Sequence, residues 1–124
     1  MIVIQNKNCI FIDCDDTLVM WESKYINEDH TNTIIVSDPI SGFSQALVPH
    51  DVHIKYLKDA KVKNKNTIVV WSAGGWEWAK SVVNALELND FVDAVMEKPT
   101  MYIDDLHCEK FMGIRKYEIM KKST

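Results

Sequence analysis

CIFIDCDDTLV, residues 9 to 19, is an apolar run that ends abruptly in three carboxylates, Asp13, Asp15 and Asp16. It is short, rich in β-branched residues and followed at once by clustered negative charge. A buried parallel strand reads this way, and ligands of open α/β sheets gather just beyond the carboxyl ends of such strands. Three acids crowded together repel one another, so the fold needs a reason to keep them close. Mg²⁺ supplies one, being a hard cation ordinarily held by one or two carboxylates together with waters and a substrate phosphate.

The pattern recurs downstream. MYIDDL, residues 101 to 106, is a second short apolar stretch closed by Asp104 and Asp105. Between the two lie TIVVWSAGG (Thr67 to Gly75), a strand-like run ending in Ser72, and EKP with Lys98. In order, the chain offers DxD, Ser, Lys and DD, three of the four directly after a strand-like run. This arrangement resembles the haloacid dehalogenase superfamily of phosphohydrolases, whose four motifs are matched in order across residues 9 to 105. Its first motif, DxDxT[LV], is met by Asp13, Asp15, Thr17 and Leu18.

Working outward, strands alternate with helical patterns, which predicts a parallel sheet with right-handed crossovers. Strands are expected at Met1 to Gln5, Cys9 to Asp13, Thr67 to Trp71, Phe91 to Met96 and Met101 to Ile103. Asn6-Lys7-Asn8 reads as the turn between the first two. Pro49-His50-Asp51 opens a helix with His53, Tyr56, Leu57 and Ala60 on one face, ended by the Lys-rich stretch Lys61 to Lys65. A second helix carries Ala79, Val82, Val83 and Leu86 at i, i+3, i+4, i+7. Thr33 to Val36 and Phe43 to Val48, joined by the turn SDPISG, predict a β-hairpin within residues 20 to 48. The resembled family carries a "flap" at that place. The resemblance implies an α/β, three-layer Rossmann-like (haloacid dehalogenase-like) fold with a central parallel sheet and this flap as an insertion. The tail from Leu106 carries mixed signals around Gly113 and a helical tendency.

Composition bounds the rest. At 124 residues the chain is expected to form one domain, residues 1 to 124. With 47% apolar and 26% charged residues it has the make-up of an ordinary soluble globule. The net charge of −4 argues against nonspecific nucleic-acid binding, although five of the eighteen acids belong to the two clusters and would be offset by metal. Three cysteines, Cys9, Cys14 and Cys108, lack CxxC spacing and indicate neither a disulfide framework nor a zinc site, which points to a reduced, cytoplasmic setting. No stretch approaches membrane-spanning length, so no membrane partner is expected.

The resemblance assigns roles to matched positions. Asp13 would be the nucleophile that forms an aspartyl phosphate, and Asp15 the general acid and base. An Asp at the latter position favours a phosphatase or phosphotransferase over the transport ATPases and dehalogenases of the superfamily. Ser72 and the N–H of Ala73, before a helix start, suit a phosphoryl oxygen; an N-cap serine is the structural alternative. Lys98 is the expected phosphate-site cation, with Lys80 as rival on the polar face of its helix. Mg²⁺ would be held by Asp13, the main-chain carbonyl of Asp15 and Asp104. Thr17 would brace the loop and Asp105 would bind through water or orient Lys98. The histidines are read as structural, His50 and His53 through the helix start and core packing. Trp71 is expected in the core, leaving Trp21, Trp76 or Trp78 to wall a substrate pocket.

The leading expectation is a Mg²⁺-dependent phosphomonoesterase acting on a small molecule, nucleotide or phosphoprotein. A polynucleotide-end (3′-phosphate) phosphatase is an alternative, with Lys116, Lys121 and Lys122 lending charge. A receiver-like phosphoacceptor is another, although receivers place their phosphorylated Asp on a separate middle strand and do not follow their Lys with DD.

Overall fold

The computed structural model describes residues 8–21 and 32–112. These residues form a mixed α/β structure with two three-stranded sheets and two α-helices among them. The first sheet is parallel and joins β1 (Cys9–Asp13), β5 (Thr67–Ser72) and β6 (Ala94–Glu97) in the order β1-β5-β6. The central strand explains itself: Ile68, Val69 and Val70 are all buried, so both faces of β5 are covered. A strand buried on two faces needs a continuous apolar run rather than an alternating one. On the outer strand β1 only Ile12 is buried. Phe11 and Trp71 are half-buried and pack edge to face, with ring centroids 4.5 Å apart.

The register aligns the carboxyl ends. Asp13 pairs with Trp71 and Ser72 with Glu97, so residues 13, 72 and 98 reach the same end of the sheet. That end is where the chemistry-bearing side chains lie.

The second sheet is antiparallel and joins β2 (Val19–Met20), β4 (Ser44–Pro49) and β3 (Ile34–Ser37) in the order β2-β4-β3. The β3–β4 hairpin is the expected one, and β2 adds a strand to it that the sequence did not announce. Its turn is organised by Asp38, whose carboxylate accepts from the Ile40 N–H and the Ser41 hydroxyl, both at 3.0 Å. Gly42 follows with φ +75°, a left-handed conformation that suits glycine. Residues 22–31 of the expected flap, the strand expected over residues 1–5 with its following turn, and the tail from 113 lie outside the described residues.

Helix α1 (Asp51–Val62) buries Leu57 and Ala60, and packs on β5. His53 and Ile54 are half-buried, while Tyr56 is exposed and does not belong to the buried face. His50 is the N-cap: its Nδ1 accepts from the His53 N–H at 3.2 Å. Helix α2 (Trp76–Ala85) buries Trp78, Ala79, Val82 and Val83 against β3, β5 and β6. Leu18, Val19, Val36, Leu47, Leu57, Ile68, Val70 and Leu88 complete one continuous core shared by the two sheets.

Two expected strands are corrected. The run at Phe91 starts late, because the Phe91 N–H bonds back to Leu88 and β6 begins only at Ala94. Met101 to Ile103 is not a strand: Met101, Tyr102 and Ile103 are exposed, Ile103 at 93%. A strand has no hydrogen bonds of its own, and the apolar character of this segment found no ladder partner among the described residues. Cys108–Lys110 forms a single 3-10 turn where the helical tail was expected to begin.

Candidate active site

Asp13 closes β1, and residues 14–18 fold into a tight loop before β2. The carbonyl of Cys14 accepts from the N–H groups of Thr17, Leu18 and Val19, and Asp16 takes a left-handed φ of +58°. The loop is tied to the helix start as well. The His50 N–H donates to the Leu18 carbonyl at 2.8 Å, and His53 Nδ1 lies 2.7 Å from the Thr17 carbonyl. A carbonyl only accepts, so Nδ1 carries the proton there. The two imidazoles stack with centroids 3.8 Å apart. Both histidines therefore hold the acid loop in place.

Within this frame five of the expected site residues converge. Lys98 Nζ stands 3.2 Å from Asp13 Oδ1, and the Thr17 hydroxyl donates to Asp13 Oδ2 at 3.3 Å. The Ser72 hydroxyl lies 3.4 Å from Asp15 Oδ2 and accepts from the Gly74 N–H at 3.0 Å. The Ser72 carbonyl accepts from the Lys98 N–H at 3.0 Å, so the end of β5 sets the loop that carries the lysine. Lys80, the rival cation, instead bonds Asn89 at 2.9 Å on the exposed side of α2. The N-cap of α2 is Gly75, with φ +108°, and not Ser72. A Cβ at Gly74 would stand 3.3 Å from the Ser72 hydroxyl, so the bare backbone permits that close turn. Ala73 is exposed at the same turn.

Two contacts escaped the sequence. Trp21 Nε1 and Trp78 Nε1 both donate to Asp15 Oδ1, at 2.7 and 3.0 Å. Buried indoles need an acceptor for their N–H, and the signal available was two tryptophans flanking the motifs. Oδ1 of Asp15 thus accepts twice from donor-only groups, while Oδ2 faces the Ser72 hydroxyl. Asp16 is held apart, accepting the Trp21 N–H at 3.0 Å. Cys14, between the two key acids, is fully buried. Burial first, then the charges of Asp15 and Asp13, push its thiol far above its ordinary value, with Lys98 opposing weakly. A thiol so shifted stays neutral.

The remaining predicted acids stand differently. Asp104 and Asp105 are exposed, and Asp104 accepts the Leu106 N–H at 2.9 Å. That N–H, with Asp105 adding to it, lowers the Asp104 carboxyl below its ordinary range. Among the described residues no three His, Cys, Asp or Glu side chains are grouped to hold a metal ion. Mg²⁺ requires only one or two carboxylates beside waters and phosphate.

Two clefts flank the acids. One of about 620 Å³ runs past Lys98 along β6, bordered by Trp76, Met96, Pro99 and Met101. The other, about 370 Å³, opens on Asp15 between Trp21, Trp78 and Phe43. No helix among the described residues is long and apolar enough to cross a membrane. No protein-family model, curated protein or solved structure matches this chain.

Proposed function

We propose that the chain is a Mg²⁺-dependent phosphohydrolase of the haloacid dehalogenase type, with a three-layer Rossmann-like domain, acting in the cytoplasm. The observation that supports this reading is the meeting of Asp13, Asp15, Ser72 and Lys98 at the carboxyl end of one parallel sheet, with Lys98 Nζ 3.2 Å from Asp13.

Phosphoryl transfer asks for a nucleophile, a proton donor and positive charge around the phosphoryl oxygens. Asp13 attacks phosphorus through a carboxylate oxygen, and the bond from phosphorus to the leaving oxygen breaks. Asp15 gives its proton, held on Oδ2, to that departing oxygen. An aspartyl phosphate remains on Asp13. Asp15, now a carboxylate, takes a proton from water; the water oxygen bonds to phosphorus and Asp13 is freed with inorganic phosphate as product. Lys98 offsets charge on the phosphoryl oxygens throughout, and the Ser72 hydroxyl with the Ala73 N–H binds one of them. Mg²⁺, when bound by Asp13 and the Asp15 carbonyl, reduces the repulsion between the attacking carboxylate and the phosphate dianion.

The test is turnover of a generic aryl phosphate with Mg²⁺, with EDTA, and by Asp13→Asn. The expected result is hydrolysis that needs both the metal and Asp13. Stoichiometric phosphorylation of the protein without turnover would instead favour a receiver-like phosphoacceptor, and activity that survives Asp13→Asn would overturn the assignment.

A further inference from the structure

The smaller cleft shares Asp15 with the proposed proton donor, so whatever leaves phosphorus departs into it. Its walls are Trp21, Trp78 and Phe43, its floor is Gly74, and its rim is Asp16 and Asp38. The two indoles stand with centroids 5.9 Å apart, tilted 43°, and both are anchored by their N–H groups on one carboxylate oxygen. Anchored rings are a preformed wall, and preformed apolar walls favour a rigid, flat guest. Phe43, beside the hairpin turn, is 52% exposed, so its ring is accessible at the cleft. Both rim carboxylates are held in place, Asp16 by the Trp21 N–H and Asp38 by Ile40 and Ser41. No Lys or Arg lines the cleft among the described residues. A guest bearing a second phosphate or a carboxylate would face Asp16 and Asp38, and among the described residues no cation of the cleft would offset its charge.

Resting on the phosphohydrolase reading, we propose that this cleft is the leaving-group subsite and selects small phosphomonoesters whose leaving group carries a flat ring without further negative charge, neutral or cationic. The phosphoryl end lies at Asp13, Ser72 and Lys98, the leaving oxygen at Asp15, and the ring among Trp21, Trp78 and Phe43.

Calorimetry with stable phosphonates separates this proposal from the chemistry. Benzylphosphonate is expected to bind about tenfold more tightly than methylphosphonate, the scale of one stacked ring. 4-(Aminomethyl)benzylphosphonate should bind more tightly than its 4-carboxy counterpart. Phe43→Ala should narrow the first preference and Asp38→Asn the second. Equal affinities for benzyl and methyl compounds, a preference for the carboxylate, or no binding of either compound overturns the proposal. Ring preference without turnover of any ester would leave the subsite standing and sink the hydrolase reading. Asp13-dependent turnover of benzyl and ethyl phosphates at equal kcat/KM would do the reverse.

Discussion

Lys98→Met separates the catalytic from the structural meaning of the Lys98–Asp13 contact. Methionine keeps an unbranched apolar stem and removes the ammonium. The pair is 3.2 Å apart, but the side chains are 38% and 29% exposed, so water screens much of their attraction. Partly exposed ion pairs contribute about 0–1 kcal/mol to folding, and for a chain of this size that moves Tm by roughly 4 °C at most. The same ammonium faces the charge that builds on the phosphoryl oxygens, where a preorganised donor is worth about 10²–10³ in rate. Thermal unfolding should therefore barely change, while initial rates on an aryl phosphate with saturating Mg²⁺ fall by about two to three orders of magnitude. Lys80→Met is the control, since that ammonium is occupied by Asn89 on the far side of α2 and its loss should leave the rate intact. A folded Lys98→Met protein that loses less than about threefold in rate would refute the argument, because an uncompensated phosphoryl charge cannot be so inexpensive.

Two further predictions concern the scaffold. Asp93 bonds Lys61 at 2.7 Å and accepts the Ile68 N–H at 2.7 Å, and these hold its carboxyl below the ordinary 3.8, Lys61 first and Ile68 second. A lowered carboxyl stabilises the fold only when ionised, so its contribution is full above about pH 4 and fades as pH falls through the lower folded value. Urea unfolding of wild type and Asp93→Asn should differ by about 1 kcal/mol or less at pH 7, given the exposure of the pair, and the gap should close in acid; a gap that widens in acid would contradict this. Ile103→Lys replaces a side chain that is 93% exposed and should change stability by no more than about 0.5 kcal/mol. A loss of several kcal/mol in the same denaturant titration would mean that the segment packs as a strand after all.

Legibility in the sequence followed the range of the interactions. The β5 strand was readable because Ile68, Val69 and Val70 are apolar on both faces, and the amphipathic period of α2 because Ala79, Val82 and Val83 recur on one stripe. The hairpin was readable from a turn sequence between two alternating runs, and Asp38 and Gly42 do the turning. Met101 to Ile103 misled for the converse reason. Its local pattern matches a strand, yet strand formation depends on a neighbour that lies far along the chain. The role of His50 and His53 in pinning the Thr17 loop was likewise invisible, since it joins residues 36 positions apart.

From the primary structure alone come the two apolar runs ending in acid, the Ser and Lys between them, and hence the chemistry to be looked for. Those are properties of neighbouring residues, written in local order. Which lysine meets Asp13 and which indoles clasp Asp15 were settled only by folding. Parallel register brings residues 13, 72 and 98 to one end of the sheet, and only packing across long sequence separations decides what else arrives beside them.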